Sequence, residues 1–154
     1  MKVLKKIVVV CVLFCLHTAC EGDFTSTIPN APVYLTVDLY DYNLTLPPSY
    51  KEFITKKDAS FPLDTYRFGF GGILLVNGFG ERPVNLYAYD LACPNEAQRD
   101  IRVKPQDSGL HAVCPECKAV YNTATGGAPA SGSKYWLRRY NVVEIGYKSY
   151  RITN

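Results

Sequence analysis

From Val33 onward the chain alternates. In Val33-Tyr34-Leu35-Thr36-Val37-Asp38-Leu39-Tyr40 the apolar Val33, Leu35, Val37 and Leu39 fall at every second place, the period of a strand with one buried face. Pro47-Pro48 interrupts the pattern. Ser49-Tyr50-Lys51-Glu52 then sets a hydroxyl three residues ahead of a carboxylate, a capping box that predicts one short helix over Tyr50–Lys56. Everything after it reads as short strands and turns. Tyr66–Val76 is aromatic and aliphatic around Gly69, Gly71 and Gly72; Asn77-Gly78 with Gly80 predicts a turn, and Val84–Tyr89 its partner strand. Weaker strands are predicted at Ile101–Val103, Leu110–Val113 and Ala119–Tyr121, and a closing hairpin at Tyr135–Glu144 and Tyr147–Ile152 around Gly146. Twelve tyrosines and seven phenylalanines suit pleated, half-buried surfaces. The expected fold is all-β and antiparallel, with at most one short helix.

The first residues follow another pattern. Met1-Lys2-Val3-Leu4-Lys5-Lys6 is basic, and Ile7–Leu16 is uninterrupted apolar sequence, shorter than the about 20 residues a membrane-spanning helix needs. A basic start, a short apolar run and the small Ala19 describe a secretory signal over residues 1–19. Leu16-His17-Thr18-Ala19-Cys20 resembles the lipobox of bacterial lipoproteins, with His17 standing where that motif usually has Leu. The resemblance implies lipidation at Cys20 and a membrane anchor. Glu21 and Asp23 resemble the acidic patch of surface-exposed lipoproteins of the Bacteroides group, which implies the outer membrane of a bacterial envelope. An ordinary secreted protein cut nearby, or an uncleaved anchor, are the other readings. Residues 20–32, polar and proline-punctuated, read as lipidated N-terminus and tether, and residues 33–154 as one β domain.

Removing such a leader changes the charge. The formal net charge is +3, from 17 basic and 14 acidic residues; Lys2, Lys5 and Lys6, and no acid, lie in residues 1–19, so the mature chain would be neutral. No basic surface for nucleic acid is indicated. Cys11, Cys15 and Cys20 also belong to this region, leaving Cys93, Cys114 and Cys117 in the folded part. Three thiols in an oxidising compartment cannot all pair with one another, which raises metal binding or a spare thiol.

Two loops carry these cysteines: Tyr89-Asp90-Leu91-Ala92-Cys93-Pro94-Asn95-Glu96 and Val113-Cys114-Pro115-Glu116-Cys117-Lys118. Proline after each cysteine turns the chain sharply, since it cannot extend a ladder. Here the chain resembles a Rieske-type domain, where Cys-x-His and Cys-x-x-His loops flank a [2Fe–2S] cluster. Gly72–Val76 and Leu86–Asp90 resemble the hairpin before the first loop; Tyr121, Thr125-Gly126 and Gly127–Pro129 resemble the stretch after the second, and Leu137–Val142 the return strand. The resemblance spans about Gly71–Thr153. It implies a base of two small sheets carrying a two-loop subdomain, one-electron transfer and a redox protein partner. Cys93 and Cys114 match the family's cysteine ligands, but Asn95 and Cys117 stand where its histidines belong. His111 precedes the second loop. A standard two-cysteine, two-histidine cluster therefore cannot form.

Four readings of the three cysteines stand open: a disulfide; a single metal such as zinc, with Glu96, Glu116 or His111 as a fourth ligand; a modified [2Fe–2S] cluster with Cys117 replacing a histidine and Asn95 or a carboxylate completing the set; or free thiols with no role. Trp136, Tyr135 and Tyr140 could form a binding platform for sugar or peptide, but core or half-exposed strand packing is the commoner explanation of such a group. Asp38, Asp41, Asp58 and Asp64 are too scattered for paired-carboxylate chemistry, and no nucleophile–base arrangement is present, so the chain does not read as an enzyme by itself.

Overall fold

Alternation in the sequence becomes alternation in burial. In β1 (Val33–Asp38), Val33, Leu35 and Val37 are buried while the residues between them are exposed or half-buried. The structure, a computed structural model, describes residues 25–80 and 85–154. The remaining strands are β2 (Ser49–Phe53), β3 (Arg67–Phe68), β4 (Ile73–Gly78), β5 (Asn85–Asp90), β6 (Lys104–Gln106), β7 (His111–Val113), β8 (Val120–Asn122), β9 (Ala128–Ser131), β10 (Arg139–Gly146) and β11 (Ser149–Thr153). They form a seven-stranded sheet, β2-β4-β5-β10-β11-β1-β3, and a four-stranded sheet, β6-β7-β8-β9. The larger sheet divides at β10, which pairs with β11 along most of its length but with β5 only through Arg139 and Tyr140. This is the all-β antiparallel arrangement expected from the sequence; the first cysteine loop leaves β5 of the larger sheet and the second joins β7 to β8 of the smaller one.

The hairpin β4–β5 lies between two cores, which explains why β4 is buried at every position. Ile73 and Leu75 point into a first core with Leu35, Leu39, Leu44, Phe53 and Ile152. Leu74 and Val76, one residue out of phase, point into a second core with Tyr89, Leu91, Val103, Ala112, Ala119, Tyr121 and Leu137. A strand covered on both faces needs a continuous apolar run, which Ile73–Val76 supplies. Cys93 and Cys114 belong to the second core, with Cys117 against its edge.

The predicted helix over Tyr50–Lys56 does not form. Ser49–Phe53 instead pairs with β4 over five residues, Ser49↔Asn77 to Phe53↔Ile73, and buries Phe53 completely. Five ladder rungs and a buried aromatic ring outweigh the modest helix propensity of Tyr-Lys-Glu. A cap does occur further on. The Asp58 carboxylate accepts the N–H groups of Ile54 at 2.8 Å and Thr55 at 2.7 Å, closing a single 3-10 turn at Lys56–Asp58.

Tertiary contacts shift other boundaries. Tyr66–Val76 breaks into β3 and β4 because the buried Asp90 carboxylate binds the N–H groups of Phe70 and Gly71 between them. Asn77-Gly78 stays in β4 rather than turning; Asn77 is buried and donates to the Leu44 carbonyl at 2.9 Å. Gly78 is needed for close approach, since a Cβ there would lie 2.5 Å from the Ala124 carbonyl. The expected strand Ile101–Val103 contributes one bridge, Ala92↔Arg102, and the ladder begins at Lys104. β9, containing Pro129, has no counterpart among the sequence expectations.

The segment expected to be a tether is packed from Thr25 on. Ile28 is buried, Trp136 N–H donates to the Thr25 carbonyl at 3.0 Å, and Arg138 donates to the Ile28 carbonyl at 3.0 Å. Arg138 also reaches Asn30 Oδ1 at 2.9 Å, and Asn154 Nδ2 donates to Asn30 Oδ1 at 2.9 Å and to the Ala31 carbonyl at 3.1 Å, so the polar stretch is docked along its length. The proposed signal over 1–19, its acidic flank and Cys20 lie outside the described residues.

Candidate metal centre

The two loops use the same turn. In the first, Ala97 N–H donates to the Cys93 carbonyl at 2.8 Å; in the second, Lys118 N–H donates to the Cys114 carbonyl at 3.1 Å. Both donors sit in the left-handed region, Ala97 at φ 50° and Lys118 at φ 62°. Each turn thus closes over Cys-Pro-x-x and returns the chain beneath the cysteine. The roots are fixed as well: Cys93 N–H donates to Ile101 and Cys114 N–H to Ala119, both at 2.9 Å.

Asp90 holds the base of the first loop. Its Oδ1 accepts from Gly71 N–H at 2.9 Å and Ala92 N–H at 2.8 Å, and its Oδ2 from Phe70 N–H at 2.7 Å and Tyr140 Oη at 2.5 Å. Four donors on a fully buried carboxylate offset its desolvation and tie β5, the glycine turn and β10 together.

Above this base the three sulfurs converge. All lie within 4.8 Å of one another, and Cys93 Sγ is 3.7 Å from Cys117 Sγ. Cys93 and Cys114 are buried and Cys117 half-buried, so the group opens to solvent on the Cys117 side. Burial pushes the Cys93 thiol up to about 12, only partly offset by the Tyr121 hydroxyl and the Glu96 and Asn95 N–H groups. Burial also pushes Cys117 up, but the Ala119 N–H, the Asn95 amide and the neighbouring thiols outweigh it and hold Cys117 below the ordinary thiol value.

Asn95 belongs to this shell without copying an imidazole. Its Nδ2 stands 3.3 Å from Cys117 Sγ and donates to the Gly132 carbonyl at 2.8 Å, while Ser133 Oγ donates to its Oδ1 at 2.7 Å. His111 is not part of the site; it lies at the start of β7 with Nδ1 3.3 Å from Asp107 Oδ2. Glu116 is exposed, Glu96 is half-buried, and the group of converging donor atoms comprises the three cysteines. A two-cysteine, two-histidine set for [2Fe–2S] is therefore absent from these loops, as their sequence requires.

Tyr121 is the residue that loop sequence alone does not single out as a site member. It is buried in β8 with its hydroxyl 3.7 Å from Cys93 Sγ, and burial holds its phenol above the ordinary tyrosine value. The usable signal is strand alternation: Ala119 and Tyr121 share the face that looks into the second core.

No protein-family model matches this chain, and no curated protein matches it. Among solved structures, the chain is similar to a protein assigned as the small subunit of an NADH-dependent nitrite reductase from Mycobacterium tuberculosis. The two are 12% identical, the match covers 80% of this chain and 96% of that one, and the TM-score is 0.44.

Proposed function

We propose that the two cysteine loops hold one soft or borderline metal ion on three thiolates, making the domain a metal-retention or one-electron module of a bacterial envelope. The observation that carries this reading is the sulfur spacing. Two sulfurs on a tetrahedral ion with bonds of about 2.3 Å stand about 3.7–3.8 Å apart, and Cys93 and Cys117 are 3.7 Å apart. A disulfide requires about 2.05 Å. The compact triangle favours one ion over a two-iron cluster, because donors to the second iron stand beyond the bridging sulfides.

Thiolates select zinc, iron or copper(I) over hard cations. Zinc supplies a fixed, redox-inactive centre; iron in the same place supplies a one-electron carrier. Cys93 and Cys114 anchor the ion from the protein side, and Cys117 closes the third corner. Cys117, with Asn95 beside it, stands at the half-buried edge of the group, so a bound ion would be open to a fourth donor from solvent on that side. Residues 1–20 support export and lipid anchoring at Cys20, and a Rieske-like ancestry is supported by the loop sequences.

A second reading is favoured by the same approach of Cys93 and Cys117: a small shift would join them as a disulfide that staples the loops and leaves Cys114 free. Native and denaturing mass spectrometry with alkylation separates the two. The metal reading expects one ion per chain, and Cys93, Cys114 and Cys117 all alkylated after chelation without reductant. A metal-free protein with one of the three alkylated before reduction and all three after it would establish the staple instead. Incorporation of labelled palmitate, lost in Cys20→Ser, tests the anchor; unlabelled wild-type protein would exclude it.

A further inference from the structure

On the flank of the first loop, away from the sulfurs, four cationic side chains face one cleft. Lys56, Arg67, Arg99 and Arg102 line a cavity of about 340 Å³ with Phe68 and Phe70, and no carboxylate lines it among the described residues. We propose that this cleft is a binding site for a compact multivalent oxyanion, a phosphate group or a small polycarboxylate.

The guanidinium groups are held largely by neutral partners. Arg67 donates Nη1 to the carbonyls of Asp64 and Tyr66, both at 2.8 Å, and Arg102 donates Nε to the Gly71 carbonyl at 2.6 Å. Arg99 lies over the Phe70 ring at 4.9 Å. A carbonyl or an aromatic face orients a guanidinium without neutralising it, and leaves N–H groups for a phosphate or carboxylate. The nearby acids are Asp64, 2.7 Å from Lys56, and Asp100, 3.8 Å from Arg102, both almost fully exposed at the rim, together with Asp58 and the buried Asp90, whose carboxylates are taken up by the N–H groups of Ile54, Thr55, Phe70 and Gly71 behind the cleft wall. Four like charges around a concave, partly apolar wall repel one another and focus a positive potential into the cleft. A bound polyanion relieves that repulsion. The cavity is of small-molecule size, which favours a compact ligand over an extended acidic surface. The site is independent of the metal reading.

Isothermal titration of the purified protein with inorganic phosphate, pyrophosphate and citrate tests the site and distinguishes phosphate from carboxylate sources. Pyrophosphate or citrate is expected to bind, weakening about tenfold between about 50 and 300 mM salt as screening rises. Arg99→Gln and Lys56→Gln should each weaken binding about fivefold, whereas Arg139→Gln, which lies over the Tyr87 ring and does not line the cleft, should leave it within about twofold. The proposal is overturned if none of the three anions binds, if Arg99→Gln and Lys56→Gln bind like wild type, or if a polyglutamate peptide binds at least tenfold more tightly than citrate.

Discussion

Asp90→Asn should be among the costliest single-atom changes in this protein. An amide offers one accepting oxygen where the carboxylate offers two. Placed at the Oδ1 position, that oxygen keeps the N–H groups of Gly71 and Ala92. The amide nitrogen then faces two groups that now donate to Oδ2, Phe70 N–H and Tyr140 Oη. The Tyr140 hydroxyl can rotate and accept instead, but the Phe70 N–H cannot. One buried unsatisfied donor costs about 1–3 kcal/mol, and downgrading the surviving charge-assisted bonds to neutral ones adds about 1–2 kcal/mol. The expected loss is about 3–4 kcal/mol, read by urea unfolding followed by far-ultraviolet circular dichroism with an unchanged slope. Tyr140→Phe removes one donor and leaves the carboxylate three partners, so it should cost about 1–2 kcal/mol. A loss below about 1 kcal/mol would refute the claim that this carboxylate fastens the first loop to the fold.

Three other substitutions or conditions probe separate features. Cys117→Ser should lower zinc affinity about a hundredfold in chelator competition, while Glu116→Gln stays within about twofold; equal effects would remove Cys117 from the site. Gly78→Ala should destabilise by about 2–3 kcal/mol, because its Cβ would meet backbone atoms of Ala124 at 2.5 and 2.9 Å. Gly146→Ala, whose nearest contact would be 3.8 Å away, should be nearly neutral, so a matching loss there would disprove the packing explanation. Burial holds the phenols of Tyr89 and Tyr140 above the ordinary tyrosine value, with the Asp90 charge adding to Tyr140. Above about pH 10 the unfolded chain releases protons that the folded chain keeps, so stability is full below that pH and falls as pH rises through the folded values. Unfolding free energies that match at about pH 8 and pH 11 would contradict this.

Strand content was readable because period-2 alternation is a local property. β1, β5, β7, β8 and the β10–β11 hairpin all lie within a few residues of where the pattern puts them. The cysteine loops were readable for a similar reason: proline after cysteine interrupts a strand wherever it occurs. The helix expected at Tyr50–Lys56 fails because a five-residue ladder to β4 is a long-range contact, and nothing within Ser49–Phe53 announces its partner. The roles of Asp90 and Tyr121 were hidden for the same reason. An aspartate ending a strand looks like any turn residue until the chain returns Gly71, Ala92 and Tyr140 to it.

The sequence by itself therefore determined an antiparallel β chain, the three cysteines of the two loops and the lack of histidine in either loop, since each follows from residue identity and short spacing. The tertiary structure brought the three cysteines together. The two sulfurs 3.7 Å apart come from loops 24 residues apart in sequence, and the burial of Cys93 follows from its place in the second core with Leu91, Val103 and Tyr121. It also decided that Asn95 is held by Gly132 and Ser133 and that four cations share one cleft, because distance between remote residues is set by packing and not by spacing along the chain.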